Sequence, residues 1–186
     1  PSFDGVDALP ERYEHAVEDL LVREWGANWH RGDSGDHLHE TIRRFKDDYY
    51  RRNPVEYDRD VALGYAVYHL AGYYAAVQYA LSDLARDGRV SGNLRVLDLG
   101  AGVGGPALGL FDFLPEDALV EYHAVEPSEA ADVFDRLLEE APANVHAEIH
   151  RETAEEFEPD GEYDLVLACS VLSELDDPVS VVDRYL

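Results

Sequence analysis

Hydrophobic residues recur at two different periods along the chain. In the first part, apolar side chains return every three or four positions, which is the spacing of helices with one buried face. From residue 94 onward, short apolar runs alternate with helical stretches, a pattern typical of strands buried in a parallel sheet. The change predicts an N-terminal helical subdomain over residues 1–90 and an α/β domain over residues 91–186.

The same pattern predicts the individual elements. Three helices are expected first, over residues 10–25, from Ser34 or Asp36 to about residue 52, and over residues 58–87. The α/β part should contain four strands (94–99, 119–125, 144–150 and 164–168), helices over 104–114 and 128–140, a helical turn over 152–157 and a helix that begins near Pro178. Strands that alternate with helices form a parallel sheet with right-handed crossovers, and the expected strand order is 3-2-1-4.

The segment RVLDLGAGVGGPALG, residues 95–109, joins the first strand to a helix through a glycine-rich turn. Asp98 lies near the end of the strand, and Gly100, Gly102 and Gly104 follow at alternate positions. Glycine allows positive φ and close approach of the backbone to a ligand, and the helix N-terminus behind the turn offers unpaired N–H groups. We therefore expect a cofactor to bind at this turn, with Ala101 also in contact.

Two classes of cofactor fit this spacing. Gly100-x-Gly102-x-x-Gly105 satisfies the dinucleotide fingerprint, which would indicate a nicotinamide-dependent oxidoreductase. Asp98-x-Gly100-x-Gly102-x-Gly104 satisfies the pattern of class I S-adenosylmethionine (SAM) methyltransferases. The methyltransferase pattern is favoured for two reasons. A carboxylate at Asp98 would repel a pyrophosphate but suits an ammonium group. In addition, about ninety residues precede the strand, whereas a dinucleotide-binding domain often begins with it.

Other candidate contacts follow the later strands. Glu126 ends the second strand, where an acid accepts the two ribose hydroxyls of an adenosyl ligand, and Pro127 comes next. The alternative role for Glu126 is to stabilise the N-terminus of the following helix. Thr153 and Ala154 are expected near the adenine, and Cys169 is either a cofactor contact, a nucleophile or a small buried residue. No catalytic residue is predicted.

The third predicted helix contains no formal charge from Val61 to Leu81. Because this stretch is rich in tyrosine and lacks a basic flank, we predict a buried helix rather than a membrane span, packed over the cofactor pocket. Its tyrosines are expected mainly in the core. No metal site is predicted, since His37 and His39 are two positions apart and do not share a helix face.

Composition changes the expected surroundings of the protein. The chain has 40 acidic and 15 basic residues, a formal net charge of −25, and Lys46 is its only lysine. An excess of acidic residues with almost no lysine is typical of adaptation to molar salt. At that salt concentration the Debye length is about 3 Å, so repulsion between charges is screened and this acidity does not exclude a nucleic-acid partner.

The single cysteine excludes a disulfide within these residues. Because no signal-peptide pattern opens the sequence, we expect a cytoplasmic protein.

The second predicted helix carries the only basic cluster, over residues 42–52. Its arginines and Lys46 are interleaved with Phe45, Tyr49 and Tyr50, and this combination suits contact with phosphates and stacked bases of RNA. The alternative is a solvated helix face whose arginines pair with the abundant acids.

Three stretches together resemble the small-ribosomal-subunit methyltransferase-like family, whose members are tied to ribosome assembly. They are the tyrosine-rich segment 61–86, the glycine turn at 95–109, and AVEPS with LACSVLSEL at 124–128 and 167–175. The resemblance implies a Rossmann-like class I methyltransferase fold, with SAM bound through Asp98, Gly100, Gly102, Gly104 and Glu126. It also implies small-subunit ribosomal RNA or a ribosomal protein as partner. The family's C-terminal cysteine cluster has no counterpart in this chain.

Three functions therefore stay open at this point: a SAM-dependent methyltransferase acting on ribosomal RNA, a non-catalytic assembly factor that keeps the SAM pocket, and a nicotinamide-dependent oxidoreductase. A complete class I methyltransferase sheet has seven strands, and only four are predicted here. We expect the chain to be a fragment without the C-terminal strands, or its apolar fourth strand to be covered by a partner.

Overall fold

The computed structural model describes residues 8–90 and 92–185. Three helices come first: α1 (Glu11–Trp25), α2 (Gly32–Arg51) and α3 (Arg59–Arg86). They are followed by β1 (Leu94–Leu99), α4 (Gly105–Phe113), β2 (Val120–Val125), α5 (Ala130–Leu138), β3 (Val145–His150), β4 (Leu165–Leu167) and α6 (Pro178–Asp183). Each predicted helix and strand is present, and the boundaries differ by a few residues.

The four strands form one parallel sheet in the order β3-β2-β1-β4, which confirms the predicted order. Leu94 of β1 lies beside Val120 of β2, and Val120 lies beside Val145 of β3. β4 is an edge strand of three residues whose Val166 is partly exposed. The carboxyl ends of β1, β2 and β4 therefore meet at one edge of the sheet, where the glycine turn begins.

The two faces of the sheet are covered unequally. One face packs against helices of both halves of the chain, so that Leu63 of α3, Leu108 of α4 and Tyr122 of β2 belong to the same core. The other face has a smaller apolar cluster that includes Leu99 and Val181 of α6. The division of the chain at residue 90 stays a prediction, because one continuous core contains residues from both sides of it. Among the described helices, none is long and apolar enough to cross a membrane.

Helices α3 and α4 approach each other closely because α4 presents glycine to α3. A Cβ atom added to Gly109 would collide with the carbonyl oxygen of Tyr74 and with the side chain of Val77. The Gln78 amide donates a hydrogen bond to the Gly109 carbonyl over 2.9 Å. This close approach fixes α3 directly behind the glycine turn from which α4 begins.

A single carboxylate adds a polar link between three helices. Asp112 of α4 accepts hydrogen bonds from Arg12 and Tyr13 of α1 and, over 2.9 Å, from Tyr74 of α3. Burial and the nearby Asp112 charge raise the pKa of Tyr13 to about 12, so both tyrosines stay neutral donors. The link holds the N-terminal helices against the α/β part.

Gly109→Ala is expected to destabilise the fold by about 1–3 kcal/mol, because the added methyl group overpacks the α3–α4 contact. The matched control is Gly72→Ala on α3, where the added methyl meets no atom within 4 Å. That control should be neutral or should stabilise the helix by up to about 1 kcal/mol. Urea unfolding of both variants measures the difference, and equal midpoints would contradict the close packing.

Candidate cofactor-binding site

A cavity of about 320 Å³ opens at the carboxyl edge of the sheet, beside the glycine turn. Its walls come from the glycine turn, the end of β2, the turn at Thr153, the segment after β4, α3 and the loop before α3. The volume lies at the lower end of the range for small-molecule sites, which is about 300–1,000 Å³. The cavity therefore has the place and the size expected for a cofactor of this fold.

Most of the predicted contact residues line this cavity. They are Gly100, Ala101, Gly102, Glu126, Pro127, Thr153, Ala154 and Cys169. Asp98 and Gly104 do not line it. Sequence reasoning missed Val55 and Tyr57 in the loop before α3, and it assigned the α3 tyrosines to the core although Tyr65 and Tyr73 face the cavity. No local pattern in the sequence marks Tyr57.

The alternating glycines have different roles. A Cβ at Gly104 would enter the Phe134 ring, and one at Gly100 would enter Val171, so both glycines are required by packing. Gly102 has φ of +56°, and a Cβ there would meet no atom within 4 Å. Because Gly102 lines the cavity, the open space at its Cβ position leaves the backbone accessible to a ligand.

Glu126 ties the glycine turn to the end of β2. Its carboxylate accepts a hydrogen bond from the Gly102 N–H over 2.8 Å. It also accepts one from the Ser128 N–H over 3.0 Å and one from the Ser128 hydroxyl over 2.6 Å. The bonds to Ser128 lie ahead of α5, which begins at Ala130, and the Glu126 side chain also lines the cavity.

Asp98 is buried completely beneath the glycine turn. Tyr122 donates a hydrogen bond to its Oδ2 over 2.7 Å, while its Oδ1 has no hydrogen-bond partner. Burial, helped by the negative charge of Glu126, raises the pKa of Asp98 to about 7 despite the opposing effect of the Tyr122 hydrogen bond. Asp98 does not line the cavity, so its contact with the cofactor stays a prediction.

The segment after β4 closes over the turn. Ser170 has φ of +65°, a left-handed conformation that is strained for a residue with a side chain. Its hydroxyl is 2.5 Å from the Tyr73 hydroxyl of α3. Burial raises the pKa of the neighbouring Cys169 thiol to about 11, so the thiol is protonated at neutral pH and the nucleophile interpretation is disfavoured.

The charged groups of the cavity have one sign. Among the described residues, its ionisable acids are Glu126, Glu155 and Glu174, and no lysine, arginine or histidine lines it. Tyr57 donates a hydrogen bond to Glu174 over 3.3 Å, while burial and the Glu126 charge raise the pKa of Glu174. Such a site attracts a cation and repels a pyrophosphate.

Asp98→Asn should remove a pH-dependent loss of stability. Because the pKa of Asp98 is 3.8 in the unfolded reference and about 7 in the fold, its contribution is complete below about pH 4 and is lost as pH rises to about 7. We expect the asparagine variant to gain up to about 4 kcal/mol on the parent between pH 4 and 8. Urea unfolding across that range measures the difference, and a pH-independent difference would exclude a neutral buried Asp98.

Comparison with known proteins shows what this chain is similar to. Residues 97–186 match the family model described as a methyltransferase domain. A solved structure of a candidate SAM-dependent methyltransferase from Methanococcus maripaludis aligns with a TM-score of 0.56 at 17% identity, over 72% of this chain and 61% of that one. This chain thus spans less than two thirds of that protein. No curated protein matches the sequence significantly.

Two further solved structures align less completely. A candidate RNA methyltransferase from Pyrococcus horikoshii is 26% identical over 50% of this chain and 43% of its own, with a TM-score of 0.39. A glycopeptide N-methyltransferase, MtfA, solved with SAM, is 27% identical over 59% of this chain and 50% of its own, with a TM-score of 0.45. Residues 97–186 thus match the methyltransferase-domain family, and the sheet has the Rossmann-like fold of class I SAM-dependent methyltransferases.

Proposed function

We propose that this protein is a SAM-dependent methyltransferase that binds its cofactor in the cavity beside the glycine turn. The observation that carries the proposal is the charge of that cavity, whose ionisable lining groups are all acidic. SAM carries a sulfonium and an ammonium group, whereas a nicotinamide dinucleotide carries a pyrophosphate. The acidic lining and the family match both favour the methyltransferase over the oxidoreductase.

Several residues would hold the cofactor. Glu126 is placed to accept hydrogen bonds from ribose hydroxyls, as the acid at the end of the second strand does in related nucleotide-binding folds. The accessible backbone at Gly102 would lie against the methionine part. Asp98 would act from below the turn through its charge, since its side chain does not reach the cavity. Thr153 and Ala154 would line the adenine end.

SAM, when bound, supplies an electrophilic methyl group on a good leaving group. The protein therefore has mainly to position the acceptor and to exclude water. Tyr57, Tyr65 and Tyr73 form an aromatic wall of the cavity. Tyr65 stacks on Tyr73 with ring centroids 6.2 Å apart and an interplanar angle of 13°. This wall is suited to shield the methyl group from water.

Glu126→Gln should weaken SAM binding by about 10- to 100-fold, because a hydrogen bond to a charged acceptor contributes about 1.5–3 kcal/mol. The control is Glu129→Gln, an acid three residues away that does not line the cavity. Calorimetry with SAM and separately with NAD measures both affinities, with circular dichroism as the check on folding.

Unchanged SAM affinity in the Glu126 variant would contradict the proposed cofactor site. Tight NAD binding without SAM binding would overturn the methyltransferase proposal in favour of the oxidoreductase.

We further propose small-subunit ribosomal RNA as the methyl acceptor, and hence the cytoplasm as the location. A second cavity of about 150 Å³ shares Tyr57, Tyr65, Tyr73 and Glu174 with the first. It continues to the basic cluster of α2, where Lys46 lines it. Two adjoining cavities lined by shared tyrosines suit a planar base, because every base can stack on an aromatic ring.

The basic cluster of α2 is available to a partner. Within residues 8–90 and 92–185, none of Arg43, Arg44, Lys46, Arg51 and Arg52 forms a salt bridge with a carboxylate. The salt bridges of the described chain involve other basic residues. Lys46 instead donates a hydrogen bond to the Tyr68 hydroxyl over 2.7 Å and lies over the Tyr68 ring. Tyr50 beside it is 77% exposed. These observations favour contact with RNA over a face neutralised by acids.

Adaptation to molar salt belongs to the same proposal. It is supported by the net charge of −25 and by the single lysine. At such salt concentrations electrostatic contacts to phosphates are screened. Stacking on exposed tyrosines would then contribute a larger share of the RNA-binding free energy. Because the protein is proposed to be adapted to molar salt, RNA binding and methyl transfer are to be measured in molar KCl.

The acceptor proposal is tested with the full-length protein, labelled SAM and small ribosomal subunits. We expect label in the RNA, and we expect the variant with Lys46→Ala and Tyr50→Ala to transfer at least about 10-fold less because one stacking contact contributes about 1–3 kcal/mol. Arg86→Ala, an exposed arginine on α3 paired with Asp83, is the control.

Label in a ribosomal protein, or RNA binding without transfer while SAM still binds, would overturn the RNA-methylation proposal. The second result would favour the non-catalytic assembly factor.

A further inference from the structure

Two histidines and a glutamate meet on the sheet face opposite the α3–α4 layer. His123 of β2 is paired in register with Glu148 of β3, and His150 follows two residues later on the same face. One potential ligand atom from each of these three side chains lies within 4.8 Å of the others. His123 is only 6% exposed. None of the three lines the cofactor cavity.

The two imidazoles face each other through nitrogen atoms. His123 Nδ1 is 3.0 Å from His150 Nε2, and the two ring planes are nearly parallel, with an angle of 9° between them and centroids 5.3 Å apart. His123 Nε2 is 2.9 Å from Glu121 Oε1. Because a carboxylate only accepts hydrogen bonds, Nε2 of His123 carries the proton. In the neutral ring, the lone pair on Nδ1 therefore points towards His150.

We propose that His123 Nδ1, His150 Nε2 and the Glu148 carboxylate bind a divalent transition metal of the zinc, cobalt or nickel class. Two nitrogens bound at about 2.0–2.1 Å to a tetrahedral zinc ion lie about 3.3 Å apart, so the two nitrogens, which are 3.0 Å apart, would have to separate slightly and both rings would have to turn until their lone pairs converge on the ion. Imidazole and carboxylate ligands suit these ions. Three protein ligands leave a fourth position to a water molecule or another ligand.

The surroundings of His123 match those of metal-bound histidines. Such a histidine usually donates its other N–H to a carboxylate, which fixes the tautomer and the ring orientation. Glu121 accepts that bond and is itself held by Arg95 Nε over 3.0 Å. The Tyr163 ring packs edge-on against His123, and Phe157 packs against His150. These contacts keep the two imidazoles side by side.

Without a metal, the same geometry is a hydrogen bond in which His150 donates its Nε2 proton to His123. A proton and a metal ion therefore compete for one position. The test titrates chelator-treated protein with Co²⁺, followed by its d–d absorption, and then with Zn²⁺ as competitor. We expect one equivalent to bind with a tetrahedral spectrum, and Zn²⁺ to displace it.

His123→Asn and His150→Gln should each lower Co²⁺ affinity by about 100-fold or more, whereas Glu121→Gln should lower it by about 10- to 100-fold. His146→Ala is the matched control, because His146 lies on the same face of β3 outside the cluster. Circular dichroism of each metal-free variant separates loss of binding from loss of the fold.

The absence of stoichiometric Co²⁺ and Zn²⁺ binding by the folded parent protein would overturn the proposal. Binding that persists in both histidine variants, or that is lost in the His146 control, would also overturn it. These outcomes are independent of the proposed methyltransferase activity, because SAM binding is measured at a different site.

Discussion

The site depends on the hydrogen bonds that Glu126 makes to the glycine turn and to the start of the β2–α5 connection. A buried carboxylate is costly unless donors surround it, and here Gly102 and Ser128 supply them. The bonds fix two segments from different strands relative to each other, so the cavity exists before a ligand arrives. A carboxylate has about four acceptor positions, and three are already used. A ribose that engages Glu126 through both hydroxyls must therefore displace part of the Ser128 contact.

Asp98 and the cavity acids explain why a cationic ligand fits better than an anionic one. The buried Asp98 carboxyl has one oxygen without a hydrogen-bond partner. Because its pKa is about 7, both its neutral and its charged form are populated near neutral pH. Glu126 lies close enough for its charge to raise the pKa values of Asp98 and Glu174. A sulfonium or ammonium group would relieve this repulsion, whereas a pyrophosphate would add to it. SAM binding and ionisation of Asp98 should accordingly favour each other.

The sequence predicted the strands and the strand order well because buried parallel strands are short apolar runs separated by turn signals. The bounds of the first strand are unchanged from the prediction, Leu94–Leu99. The direction in which single side chains point, and how deeply they are buried, were harder to predict from the sequence. Asp98 lies in the glycine motif, yet the alternation of side chains along β1 directs it into the core beside Tyr122 instead of towards the cavity. Tyr57 is held at the site by residues distant in sequence: its carbonyl accepts a hydrogen bond from the Glu129 N–H, and its hydroxyl donates one to Glu174.

The histidine cluster is a second example of contacts that spacing along the sequence does not reveal. A sequence scan weighs neighbours such as His37 and His39, which lie on different sides of a helix, whereas His123 and His150 are brought together by the register of two strands. That register follows from packing of the opposite face, where Tyr122 and Ala124 belong to the core. A shift of one residue would turn His123 into the core and expose Tyr122. The apolar face of the sheet therefore determines which polar groups meet on the other face.

Under the proposed function, the acidic cavity and the basic cluster of α2 would meet two different requirements of a nucleic-acid substrate. Glu126 and Glu174 would repel phosphates, whereas Arg43 and Lys46, which line a surface depression on α2, would attract them. A nucleic-acid chain bound at α2 would then place a neutral base towards the cavity while its backbone stays outside. Under the proposed function, the sign of the charge would act as a selection: an uncharged planar group can approach the methyl donor, and a phosphate cannot.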